Sequence, residues 1–164
     1  MAGTATPATT LLEKTKTPHH IHSYDHDPRA ESFGDEAVTA LASSTGAEAA
    51  QIFKTLVIKL DTGKLAVAVL PVPAKLSLKA AAGALGASKA VMAGRADAER
   101  SSGYVFGGIS PVGQRKKLPT VIDSSALNWD RVLCSAGRRG LEIELAPHDL
   151  GNLSEAVFAE ITAG

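Results

Sequence analysis

The chain has 164 residues, enough for one domain that buries about two thirds of its unfolded surface, and its 45% apolar share argues against wholesale disorder. Lys plus Arg and Asp plus Glu balance at 17 each, which excludes indiscriminate coating of a polyanion but leaves room for a local basic face. A single cysteine, Cys134, excludes an internal disulfide and any cysteine-rich metal site.

Along the chain, Thr6-Pro7 reads as a helix N-cap followed by proline in the first turn, opening a short helix through Lys14. Residues 1 to 5 read as a frayed, flexible end, and the start carries no basic-then-apolar leader pattern. HIHSY, from His20 to Tyr24, predicts a strand. The polar stretch after it predicts a loop, and Phe33-Gly34-Asp35-Glu36 leads into a helix over Ala37 to Ala42. IFKTLVIKL and LAVAVLPV flank Asp61-Thr62-Gly63, the clearest hairpin signal present. Ser77 caps a helix over Leu78 to Leu85. Further strands are expected at Ala90 to Met92, Thr120 to Asp123, Arg131 to Ser135 and Leu141 to Leu145, with one or two short helices from Pro147. Strands outnumber helices and are interspersed with them, which predicts a single α+β domain without repeats or linkers. No apolar run is long enough to span a bilayer, so a soluble, cytoplasmic protein is the default expectation.

Nucleotide-binding, zinc-protease and serine-hydrolase motifs (GxxxxGK[ST], HExxH, GxSxG) are all missing. His19, His20, His22 and His26 cluster near the start, but no partner stands at ligand spacing, so they read as loop or surface histidines and no metal is expected. Lys54 is more informative. Strand alternation places it on one face with Leu56 and Ile58. It is then either a lysine snorkelling from a strand end or a desolvated cation reaching into a cleft to hold a carbonyl or phosphate.

In YVFGGISPVGQRKKLP, Gly107-Gly108 permits close backbone approach and exposes amide N–H groups, the raw material of an oxyanion or phosphate nest. A plain sharp turn accounts for the same residues. Arg115, Lys116 and Lys117 follow, and Arg138-Arg139 occupies a second glycine-bracketed turn, SAGRRG. Such cations are either solvated or in contact with a nucleic-acid backbone. Residue pattern alone leads to a small α+β domain with an anion or acyl site.

Taken in order, PHHIHSYDHDP, FGDEAV, IFKTLVI, LAVAVLPV, ERSSGYVFGGISPVGQRKKLPTVID and SAGRRGLEIEL resemble the YbaK proteins, bacterial deacylases that hydrolyse cysteine mischarged onto proline tRNA and are related to the editing domain of prolyl-tRNA synthetase. The resemblance covers residues 6 to 161, and GYxxGGISPxGQ is its most specific signature. It implies a strongly curved mixed β-sheet surrounded by helices. It also implies Lys54 as the essential lysine, with the Gly107 and Gly108 amides beside it, and a substrate pocket lined by Tyr24, Phe33, Thr55, Ile109, Ser110, Pro111, Ser135 and Glu142. Glu142 stands where the family pattern GLDIEL has aspartate, one methylene longer.

By the same resemblance, the substrate's own thiol attacks its ester carbonyl, so no cofactor, metal or protein nucleophile is required and Cys134 is a core residue. The expected partners are the acceptor end of an aminoacylated tRNA, met by Arg115, Lys116, Lys117, Arg138 and Arg139, and prolyl-tRNA synthetase. Two alternatives are a deacylase of another aminoacyl-tRNA, such as alanyl-tRNA(Pro), that uses water, and a non-catalytic tRNA- or synthetase-binding module.

Overall fold

The central hairpin organises the chain. β2 (Phe53–Leu60) and β3 (Leu65–Pro71) pair antiparallel in the register that joins Lys54 to Leu70. Their apolar residues alternate between two cores. Phe53, Val57, Val67 and Val69 enter the larger one, whereas Ile58, Ala66, Ala68 and Leu70 enter a second beneath α3 (Leu78–Ala84). These features come from a computed structural model, which describes residues 5–27, 29 and 32–163.

The order of elements is α1 (Pro7–Lys14), β1 (His20–Ser23), α2 (Phe33–Thr45), β2, β3, β4 (Lys75–Leu76), α3, β5 (Ala90–Met92), α4 (Arg95–Ser102), β6 (Thr120–Asp123), β7 (Val132–Arg138), β8 (Leu141–Leu145), α5 (Pro147–Ser154), β9 (Val157–Ala159) and β10 (Thr162–Ala163). Where one sheet is expected, hydrogen bonding divides the strands into three. The five-stranded sheet runs β5-β2-β3-β6-β9, the three-stranded sheet β1-β8-β7, and β10 pairs with β4. The first is mixed: β3 runs parallel to β6, and β6 to β9. A parallel bridge between Ile52 and Leu133 ties the two larger sheets together beside the start of β2. The mixed α+β architecture is as expected.

Local chemistry explains the element ends. The Thr6 hydroxyl accepts the Thr9 N–H at 3.1 Å while the Thr9 side chain accepts the Thr6 N–H, a capping box that starts α1 with Pro7 in its first turn. The Ser32 hydroxyl caps α2 by accepting from the Asp35 N–H, so this helix begins at Phe33, four residues before the apolar pattern suggests. The expectation of a frayed end at residues 1 to 5 falls outside the described residues except for Ala5. Among the described residues, no helix is long and apolar enough to cross a membrane.

Candidate active site

A cleft of about 590 Å³ opens where the first turn of α2, the start of β2, the middle of β7 and β8, and the 106–109 loop converge. Eight of the expected site residues line it: Tyr24, Phe33, Lys54, Thr55, Gly107, Ile109, Ser135 and Glu142. They come from six separate stretches of chain.

Lys54 leans into the cleft from β2, half-buried, and its Nζ donates to the carbonyl oxygens of Val72 at 3.1 Å and Ala74 at 2.7 Å. Two of the three ammonium donors are thereby fixed, leaving one for a ligand. Burial pulls the Lys54 pKa below the usual lysine value, and the Asp35 carboxylate opposes that shift. Of the two readings of Lys54, the desolvated cation in a cleft matches its position.

Glu142 sits on β8 between Ser135 of β7 and His22 of β1, with only 5% of its surface exposed. Burial pushes its carboxyl up to about 8, so near neutral pH most of it is protonated and able to donate a hydrogen bond. The Tyr24 hydroxyl is pushed up by burial and by the neighbouring Glu142 and Glu36 carboxyls. The Thr55 hydroxyl is buried in the cleft wall and has no hydrogen-bond partner among the described residues. An orphaned hydroxyl in a cavity lining is a group positioned to meet something that enters.

Gly107 has φ +90°, and a Cβ there would lie 2.6 Å from the Phe33 ring, so both the conformation and the space require glycine. The two glycines differ in what they offer. Gly108 N–H already donates to the Val105 carbonyl at 2.9 Å, closing a turn, and its Cα packs against the backbone of Arg138 and Arg139. The Gly108 N–H expected as a second oxyanion donor is therefore taken up in closing the loop, whereas the Gly107 N–H has no acceptor among the described residues. Ser110 and Pro111 also move out of the expected lining. The Ser110 hydroxyl is buried and accepts from the Val112 N–H, and Pro111 borders a different cavity.

That second cleft, about 620 Å³, lies between α1, α5 and residues 111–118 and shares no lining residue with the first. Arg115, Lys116 and Lys117 line it together with Lys14, which pattern reading did not single out. Lys117 pairs with Glu155. Arg138 ends β7, half-buried, opposite Leu141. Arg139 does not join the cations: its guanidinium lies 4.5 Å from the centre of the Phe33 ring and donates twice to the Phe106 carbonyl. Cys134 is fully buried in the larger core, its thiol held well up by burial, and it lines neither cleft. His22 bonds Glu144 at 2.8 Å and His26 bonds Glu36 at 2.7 Å.

The cleft has the inventory of an acyl-group site: a fixed cation, one free backbone donor, and small and aromatic walls. It lacks an activated nucleophile. Of its four hydroxyl side chains among the described residues, Ser32 caps α2, Ser135 accepts from the Gly137 N–H, Tyr24 meets the Gly140 backbone, and Thr55 is unpartnered, so none is bonded to a base. Residues 35–153 match the model of the aminoacyl-tRNA editing domain. The chain belongs to the aminoacyl-tRNA editing family. The Enterococcus faecalis protein EbsC, described as a candidate Cys-tRNA(Pro)/Cys-tRNA(Cys) deacylase, is 37% identical over 157 residues, covering 96% of this chain and 93% of EbsC. That match supports the YbaK assignment made on the motifs.

Two solved structures show the same fold. One, described as a candidate trans-editing enzyme for prolyl tRNA synthetase, superposes with a TM-score of 0.83 at 23% identity, over 100% of this chain and 99% of its own. The hypothetical protein APE2540 gives 0.81 at 20% identity, over 96% and 100%.

The site residues that pattern reading missed are backbone groups and late-assembled walls. The carbonyls of Val72 and Ala74 that hold Lys54 carry no sequence signal. Phe106 and Met92, at the mouth, stand out only as exposed apolar side chains once the fold is known.

Proposed function

We propose that this protein is a trans-editing deacylase that removes cysteine mischarged onto proline tRNA by assisting attack of the cysteine thiol on its own ester. The observation that carries this reading is a cleft that holds a fixed cation beside a glycine loop yet, among the described residues, offers no nucleophile bonded to a base. In the step, a bond forms between Sγ and the ester carbonyl carbon. The bond from that carbon to the ribose oxygen breaks, and the thiol proton ends on the ribose hydroxyl, leaving a cyclic thiolactone. The protein's part is to hold the ester in attack geometry and to meet the developing oxyanion with the free Lys54 proton and the Gly107 N–H. EbsC, similar along nearly its whole length, is named as a candidate deacylase of Cys-tRNA(Pro) and Cys-tRNA(Cys).

Selectivity follows from chemistry. A pocket separates small side chains by only about 1–3 kcal/mol per methylene, whereas an ester without a thiol lacks the attacking group altogether. The cations of the second cleft are the groups proposed to meet tRNA phosphates, and prolyl-tRNA synthetase is the proposed source of tRNA selectivity. A cytoplasmic location goes with such a substrate. The test is single-turnover deacylation of proline tRNA charged with cysteine or alanine, by wild type and Lys54→Ala. Loss of cysteine alone, abolished by the substitution, is expected; equal loss of alanine would mean a water-based reaction, and no loss of either a non-catalytic module.

A further inference from the structure

Arg139 forms no ion pair among the described residues, although it lies in a basic turn that suggested phosphate contact. Its Nε and Nη2 both donate to the Phe106 carbonyl oxygen, at 2.9 and 2.6 Å. That oxygen belongs to the peptide unit whose other end is the Gly107 N–H. In a trans peptide the N–H points opposite to the C=O, so anchoring one fixes the direction of the other. A charged donor on the carbonyl also draws electron density along the amide and makes the N–H a stronger donor.

Further contacts hold the two residues that this unit joins. The Phe106 N–H donates to Glu99 at 2.7 Å, and the Arg95 guanidinium stacks 5.3 Å from the Phe106 ring centre. Phe33, the ring that excludes a side chain at Gly107, is the ring that carries the Arg139 guanidinium. Contacts from α2, α4 and the 138–140 turn thus converge on Phe106 and Gly107, the two residues joined by this peptide bond, in a loop whose Val105 is 60% and Phe106 40% exposed.

We infer that Arg139 is a positioning residue of the deacylation reaction: it orients and polarises the Phe106–Gly107 peptide so that the Gly107 amide meets the ester oxyanion. This rests on the deacylase reading above. Lysine at 139 keeps the charge but neither the paired donors nor the flat stacking surface.

The experiment is single-turnover deacylation of cysteine-charged proline tRNA over a range of enzyme and salt concentrations, with Arg139→Lys and Arg139→Ala. In both variants the rate at saturating enzyme is expected to fall about tenfold or more, within the range seen when an oxyanion donor is weakened. The half-saturating enzyme concentration and the salt slope should stay as in wild type. The backbone nitrogen resonance of Gly107 should move upfield in Arg139→Lys while the remaining spectrum is kept, a readout that decides the matter if the alanine variant folds poorly. An unchanged saturating rate with weaker half-saturation and a flatter salt slope would make Arg139 a phosphate contact and overturn the inference. Absence of turnover by the wild type would instead overturn the deacylase reading on which it stands.

Discussion

Two clefts of nearly equal size, about 590 and 620 Å³, flank the same glycine-rich loop and are built on opposite principles. The first gathers half-buried or buried polar groups whose positions are set by the backbone: Lys54 held by two carbonyls, Glu142 held neutral, Gly107 held by the Phe33 ring. The second gathers cations on exposed stems, Lys14, Arg115, Lys116 and Lys117, with Glu155 as the counter-charge to Lys117. Desolvated, pre-oriented groups stabilise a reacting centre, whereas solvated cations supply long-range, salt-screened attraction. One loop of about a dozen residues thereby joins a reaction site to a proposed backbone-binding site.

The comparison is broken most severely at Gly107. Gly107→Ala forces a left-handed φ on a residue with a side chain and drives Cβ into Phe33. We expect the single-turnover rate to fall by about 100-fold or more, in the range of a lost oxyanion donor, with stability lowered by roughly 1–3 kcal/mol from strain and displacement. Denaturant melts together with rate measurements check both. Arg115→Ala, Lys116→Ala and Lys117→Ala combined should act in the opposite sense. tRNA affinity should weaken by roughly tenfold or more at low salt and its salt dependence should flatten, for up to three lost phosphate contacts, while the rate at saturating enzyme holds. A binding titration across salt concentrations separates these effects.

A third test sharpens the contrast through pH. Glu142 has its folded pKa raised to about 8, above the unfolded carboxyl value near 4.3, so its contribution to stability is fully present below that value and is lost as pH rises towards and through 8. Glu142→Gln removes the titration. Wild-type stability relative to this variant should therefore decline between about pH 4.3 and 8, by on the order of a few kcal/mol. Urea unfolding of both proteins across that range provides the check.

Much of this was legible in the sequence, for identifiable reasons. The hairpin carried its turn residues and its alternation, and Lys54 stood out because a charge interrupts an apolar strand. Helix α4, RADAERSS, was not anticipated because it buries little beyond Ala98, Ser101 and Ser102 and so shows no apolar stripe. Its available signals were the spaced Arg95–Glu99 and Asp97–Arg100 pairs and the glycines at both ends. The two- and three-residue strands β4, β9 and β10 are too short to carry a period. The surroundings of Arg139 were not legible because its partners, Phe33 and Phe106, meet it only through tertiary contact. Six of the eight cleft positions, Tyr24, Phe33, Thr55, Ile109, Ser135 and Glu142, were reached because the family resemblance supplied what spacing could not.

The most direct test of the account compares one proline tRNA carrying cysteine with the same tRNA carrying S-methylcysteine, under single-turnover conditions with the wild-type protein. The second ester differs from the first by a single methyl group on sulfur, and only the first has a thiol to attack. The account predicts rapid release of cysteine, with a thiolactone trapped by added amine, and no release of S-methylcysteine above the uncatalysed rate. Release of both at similar rates would contradict it and place the nucleophile in water.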